Sequence, residues 1–150
     1  MDFPPGYLIA LTSTRIERHF PNLNKNNFYF KSLKTDEYNC IAWSIERDDD
    51  WIEFPFDSAG NYDDGVGKYI DYFKSLGFEI IENSEIESGV KKIAIYVDKG
   101  NNFRHVARLL SNGKWASKIG DWEDIEHLTL EDLADKSYGK PTILMGKRVQ

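Results

Sequence analysis

Cysteine is nearly absent from this sequence, in which Cys40 is the only one among 150 residues. A single cysteine excludes an internal disulfide framework and a zinc site built from several cysteines. Histidine is also scarce, with three residues in all, so any imidazole chemistry has few candidates. The chain must therefore be stabilised by its hydrophobic core.

Long hydrophobic runs are missing as well. No stretch approaches the roughly 18–20 apolar residues that span a bilayer, and the N-terminus has neither a basic region nor an apolar signal region. We therefore expect a soluble cytoplasmic protein with no membrane partner. Export as an effector, by a route that needs no cleaved signal, stays open.

Basic charge is in deficit, because 19 Lys and Arg face 25 Asp and Glu and the formal net charge is −6. Nucleic acids and anionic membranes require a clustered positive face, so neither is expected as the main partner. Walker loops, dinucleotide glycine fingerprints and serine elbows are also absent from the sequence, and no cofactor is expected.

Aromatic residues are abundant at 14%, which argues against disorder in the body of the chain. A chain of 150 residues is long enough to bury most of its apolar surface in one core. We expect a single domain over residues 1–150.

Helical periodicity and capping residues predict four helices. Residues 65–76 carry an apolar stripe at helical spacing and end before Gly77. Asn39 is a favourable N-cap for a helix over 40–45, and Ser13 for one over 13–20. A capping-box pattern at Thr129 predicts a short helix through Ala134.

The predicted strands all lie after the 65–76 helix in the sequence. Apolar runs predict strands over 78–81, 92–97 and 141–148, and Asn112-Gly113 predicts a hairpin between 104–110 and 114–118. Helices followed by a meander of strands indicate an α+β fold with an antiparallel sheet.

Cys40 follows an asparagine N-cap at the start of a predicted helix. One interpretation is a small buried hydrophobe, the usual fate of a lone intracellular cysteine. The other is a thiolate nucleophile, because N–H groups at a helix start lower the pKa of a cysteine. A nucleophile also requires a base, and His105, at the start of a predicted strand, is the best-placed of the histidines.

Residues 89–118 resemble the sheet of NlpC-type cell-wall peptidases and of their relatives with a papain-like fold. The stretch 89–96 resembles the strand before the family's catalytic His, and 105–117 resembles the His strand, its Asn-Gly-type turn and the return strand. Asn39-Cys40 and the following helix resemble the nucleophile helix of this family and of the CHAP amidases. The resemblance implies a papain-like α+β fold in which that helix packs on an antiparallel sheet.

The resemblance also implies a catalytic triad. Cys40 would be the nucleophile, His105 the general base, and Ser117 would occupy the place of the residue that orients the base. The family usually has His, Asn or Gln at that place, and Asp121, Glu123 and Asp124 stay open as alternatives to Ser117.

Two hypotheses of function follow. The first is a thiol hydrolase that cleaves an amide bond of a peptide or protein through Cys40 and His105, with Tyr38 and Trp51 lining the substrate groove. An acyl transferase would use the same residues. The second hypothesis is a non-catalytic acidic module, of the immunity or adaptor type, that binds a basic partner. A metal site at Asp121–His127 is not favoured, because three well-spaced ligands are not evident.

Overall fold

A computed structural model describes residues 15–24, 26–32, 34–135 and 138–149. Its helices are α1 (Cys40–Ser44) and α2 (Val66–Ser75), and residues 15–19 are also helical. The strands are β1 (Phe28–Ser32), β2 (Glu79–Ile81), β3 (Val90–Val97), β4 (Phe103–Leu109), β5 (Trp115–Lys118), β6 (Asp124–His127) and β7 (Lys140–Arg148), and a 3-10 helix covers Leu130–Leu133.

The seven strands form one sheet in the order β1-β6-β5-β4-β3-β7-β2. Every neighbouring pair is antiparallel, so the described chain is α+β, as the sequence predicts. The predicted hairpin joins β4 to β5, and Gly113 in its turn has a positive φ of 85°. Strands β1 and β6, which pair with each other at one edge of the sheet, have no counterpart among the predicted strands.

Both faces of the sheet are covered. Along β3, Ile93, Ile95 and Val97 face one side, whereas Ala94 and Tyr96 face the other. We call the two sides the helix face, which carries α1 and α2, and the opposite face. The buried residues of the helix face are Ile41, Val66, Tyr69, Phe73, Phe78, Ile93, Ile95, Val97, Phe103, Val106 and Met145. Those of the opposite face are Ile16, Phe20, Leu23, Phe28, Ala94, Tyr96, Ala107, Trp115, Ile119, Ile125, Leu130 and Leu133.

Helix α2 forms where its apolar stripe predicts it. Phe73 is completely buried, and the Tyr69 ring stacks on Phe103 of β4 with centroids 4.1 Å apart. The helix shares its core with residues of β3, β4 and β7. No residue of β5 belongs to this hydrophobic core.

One of the two shorter helix predictions is refined, and the other is described only in part. The segment after Thr129 is a 3-10 helix rather than an α-helix, although the Asp132 carboxylate accepts a hydrogen bond from the Thr129 N–H at 2.9 Å, as in a capping box. The predicted N-cap Ser13 lies outside the described residues. No helix in the described ranges is long and apolar enough to cross a membrane.

Candidate functional site

Asn39 sets the position of Cys40 at the first residue of α1. Its side-chain oxygen accepts from the Ala42 N–H at 3.2 Å, which is the predicted N-cap bond. The same oxygen accepts from the Ile52 N–H at 3.2 Å, and the Asn39 amide donates to the Ile52 carbonyl at 2.6 Å. One buried side chain therefore holds the start of the helix against the segment that follows it.

Burial dominates the environment of the Cys40 thiol. The residue keeps some exposed surface, but burial raises the pKa of its thiol to about 11. Nearby N–H groups of Val106 and Ile41 oppose the rise without overcoming it. The expectation of a lowered pKa is therefore wrong here, because desolvation outweighs the hydrogen-bond donors at the start of the helix.

His105 is completely buried on β4. Its ring stacks on Tyr138 with centroids 4.3 Å apart and an interplanar angle of 5°, and it makes an edge contact with Tyr96. Neither ring nitrogen has a hydrogen-bond partner among the described residues, and burial lowers the pKa of the imidazole well below its usual value. The ring is therefore neutral at pH 7.

Cys40 and His105 belong to different sides of the sheet. The Cys40 side chain packs against the core of the helix face, whereas His105 contacts Tyr96 on the opposite face. A β-bulge explains the placement of the imidazole: Tyr96 pairs with His105, and Val97 pairs with Phe103. The extra residue between them turns Phe103 and His105 to opposite faces. No hydrogen bond joins the thiol to the ring, and the catalytic roles stay a prediction.

Ser117 contacts a different histidine from the one expected. Its hydroxyl lies 2.7 Å from Nε2 of His127, and Nδ1 of that ring lies 2.8 Å from the Thr129 carbonyl. Because a carbonyl only accepts, Nδ1 carries the proton, and the hydroxyl donates to Nε2. Burial lowers the pKa of His127 to about 4, so this pair is neutral and fully enclosed.

The three acidic residues that were the alternatives to Ser117 do not hydrogen-bond to His105 either. Glu123 pairs with Arg15, Asp124 accepts from the Tyr38 hydroxyl, and Asp121 is exposed. None of them orients His105, whose ring nitrogens have no partner in the described chain.

A groove of about 370 Å³ opens on the helix face beside α1. We call it the Asp124 groove; its lining residues are Lys31, Ser32, Tyr38, Trp43, Asp48, Arg108, Leu110, Ala116, Asp124 and Glu126. The predicted binding residue Tyr38 lines it, and the predicted Trp51 does not. The predicted β4–β5 hairpin could have indicated that Arg108 and Ala116 lie side by side in this groove, because its register sets them opposite each other. No pattern in the sequence indicates the contact of Tyr38 with Asp124, which lies 86 residues away.

The negative charge of the chain is concentrated in one segment. Residues 46–64, the acidic segment, hold eight acidic residues and one basic residue, so this segment carries −7 and the rest of the chain +1. Three of its aromatic residues are exposed: Trp51 by 39%, Phe56 by 61% and Tyr62 by 68%.

No group of three or more potential metal ligands comes together in the part of the chain that the structure describes. Comparison with known proteins adds one match: a family model described as a domain of unknown function (DUF7689) covers residues 29–146. No curated protein and no solved structure matches the chain.

Proposed function

The chain belongs to the DUF7689 family, described only as a domain of unknown function, and we propose from its geometry that it is a binding module that docks a basic protein on the acidic segment. The observation that carries this proposal is the coincidence of a local charge of −7 with exposed aromatic side chains. Arginine side chains interact favourably with both carboxylates and aromatic faces, and arginine is enriched at protein interfaces.

The acidic segment is held in shape before any partner arrives. Phe56 pairs with Tyr62 in an isolated bridge, and the Asp57 carboxylate closes the intervening turn by accepting from the Ala59 and Asn61 N–H groups. Phe54 anchors the segment by packing on Tyr69 of α2. A preorganised surface loses less conformational entropy on binding, which favours affinity.

The test uses oligoarginine as the basic probe and calorimetry as the readout. The triple variant Glu53→Gln, Asp57→Asn, Asp63→Asn removes three charges from the segment and keeps its side-chain acceptors. We expect it to weaken binding about tenfold, which corresponds to about 1.4 kcal/mol.

A matched triple serves as the control. Glu79→Gln, Glu82→Gln and Glu85→Gln remove the same charge from exposed positions outside the segment. We expect the control to change the affinity much less, because these carboxylates are not part of the proposed docking surface and exposed charges act only over a short range at physiological salt. Equal losses in the two triples would mean that only the net charge attracts the probe, and the docking proposal would be wrong.

A second candidate is the papain-like thiol hydrolase. Two observations favour it: backbone N–H groups and the charge of Lys118 act on the Cys40 sulfur in the direction of a thiolate, and His105 is a buried imidazole with both nitrogens unpaired. Unsatisfied buried groups occur at catalytic sites among other places. The candidate requires a rearrangement that brings the ring to the thiol.

The rate of Cys40 alkylation by iodoacetamide against pH separates the two candidates. A binding module with a thiol pKa of about 11 alkylates slowly at pH 7, and its rate keeps rising through pH 10. A hydrolase gives a plateau near neutral pH that His105→Ala abolishes and His127→Ala retains. That second outcome would replace the binding proposal with the hydrolase.

A further inference from the structure

Two unpaired polar groups line the Asp124 groove. Asp124 is 2% exposed; one carboxylate oxygen accepts from the Tyr38 hydroxyl at 2.9 Å, and the other has no partner within the described residues. The buried indole N–H of Trp43 also lacks an acceptor there. Buried polar groups normally have a partner, so a groove whose lining residues carry both an unpaired acceptor and an unpaired donor is a candidate ligand site.

Arg108 provides the opposite charge on the other side of the groove. Its guanidinium stacks over the Trp43 ring at 4.5 Å and donates to the Trp43 carbonyl at 3.3 Å. No carboxylate of the described chain lies within ion-pair distance of it, although Glu46, which pairs with Lys91, and Asp124 are close enough for their charges to interact with it. A positive and a negative group therefore face the same groove without neutralising each other directly.

The floor of the groove provides the space between these charges. In the strand register Arg108 lies opposite Ala116, and Ala116 lies opposite Glu126. The small side chain of Ala116 leaves a gap between β4 and β6, two strand spacings or roughly 10 Å apart. On the acidic side, Glu126 is already paired with Lys31 at 3.5 Å, and Asp48 is an exposed carboxylate at the margin, so the unpaired oxygen of Asp124 is the buried acceptor of the groove.

Lys118 is a second cation whose charge interacts with Asp124. It is the cross-strand neighbour of Asp124, but its ammonium donates to the carbonyls of Thr35 and Gly120 at 2.7 and 2.5 Å. The carboxylate oxygen therefore has no donor even with this cation nearby.

We infer that the Asp124 groove binds a small dipolar molecule of the amino-acid class. The ammonium group of the ligand donates to Asp124, and its carboxylate accepts from Arg108 and from the Trp43 indole. Ligands with only one charge are poorer partners, because they leave either the buried carboxylate or the guanidinium without a counter-charge. The site is separate from the acidic segment, with which it shares only Asp48 at its margin.

Two sets of matched compounds test the inference on the whole chain. L-alanine is compared with ethylamine and propanoate, and L-leucine with 3-methylbutylamine and 4-methylpentanoate, so that each set removes one charge at a time. Affinities come from amide and indole NMR shifts. We expect at least one amino acid to bind tenfold or more tightly than both of its single-charge analogues, since a hydrogen bond to a charged group contributes about 1.5–3 kcal/mol.

Two variants assign the charges to their partners. Asp124→Asn should bind the amino acid only as tightly as the wild type binds the carboxylate analogue. Arg108→Gln should bind it only as tightly as the wild type binds the amine analogue. Arg104→Gln is the matched control, because Arg104 is on the same strand but pairs with Asp98 outside the groove. We expect this control to bind like the wild type.

Three results would overturn the inference. In the first, neither amino acid binds the wild-type chain better than its analogues. In the second, Arg104→Gln weakens binding as much as Arg108→Gln. In the third, Arg108→Gln, in a chain whose spectrum shows it folded, binds the amino acid as the wild type does; this arm decides the question even if Asp124→Asn fails to fold.

Discussion

At the scale of single residues, the Ser117–His127 pair is the most completely enclosed polar contact of the predicted site. Both residues are 0% exposed, and the Ser117 hydroxyl donates a hydrogen bond to Nε2 of His127. Ser117→Ala should cost about 1–3 kcal/mol of unfolding free energy, because it leaves a buried acceptor unpaired. Urea denaturation at pH 7 measures the loss.

Ser75→Ala is the control for that experiment. The Ser75 hydroxyl is exposed on α2 and bonds only to the Tyr72 carbonyl, so its removal should change stability by less than about 0.5 kcal/mol. Equal effects of the two substitutions would show that Nε2 of His127 does not depend on the Ser117 hydroxyl.

At the scale of elements, α2 is attached to the sheet through Phe73. The ring is 0% exposed and makes an edge contact with Phe78, whereas Phe56 in the acidic segment is 61% exposed. Phe73→Ala should lower the unfolding free energy by about 3–5 kcal/mol, while Phe56→Ala should have little effect. A denaturation midpoint that Phe73→Ala leaves unchanged would rule out this packing of helix on sheet.

The approach of Gly139 to β3 is a second element-scale constraint. A Cβ at Gly139 would lie 1.9 Å from the Val97 carbonyl oxygen, and its φ is +73°. Gly60 has a similar φ of +85° but open space around it. Gly60→Ala should therefore cost only the strain of a left-handed backbone, about 1–2 kcal/mol.

Gly139→Ala adds a clash with a rigid strand to the same strain. We expect it to destabilise the protein by several kcal/mol more than Gly60→Ala or to prevent folding. Thermal unfolding of the two purified variants makes the comparison, and equal melting temperatures would contradict the close packing of Gly139 on β3.

At the scale of the whole molecule, two buried neutral histidines couple stability to pH. Burial holds the pKa of His127 at about 4 and that of His105 well below 6.5, whereas both titrate near 6.5 in the unfolded chain. Below pH 6.5 the unfolded chain therefore binds two protons that the folded chain does not. Stability should fall as pH drops from 6.5 towards 4, by up to about 2.7 kcal/mol per pH unit.

His105→Phe isolates one of the two contributions. The substitution removes two unpaired nitrogens and retains an aromatic ring against Tyr138, so it should not destabilise the protein at pH 7. Urea denaturation between pH 7 and pH 5 should show about half the wild-type slope. Identical slopes would mean that His105 takes up its proton without unfolding.

Local patterns in the sequence were sufficient for several elements. The apolar stripe of α2, the Asn39 cap and the Asn112-Gly113 turn each depend on residues a few positions apart, and each has the predicted conformation. Strand β6 could not be found in this way, since Ile125 is its only aliphatic residue and its pairing with β1 joins segments about 97 residues apart.

The sequence by itself therefore determined the α+β class, the helix that carries Cys40 and the β4–β5 hairpin, because short-range periodicity and turn chemistry specify them. Only the tertiary structure decided which groups meet. The bulge at Arg104 turns His105 away from the side on which Cys40 packs, and the β5–β6 pairing brings Ser117 to His127. These placements depend on the order of the strands and on the face to which each side chain points, and a one-residue shift in register reverses that face.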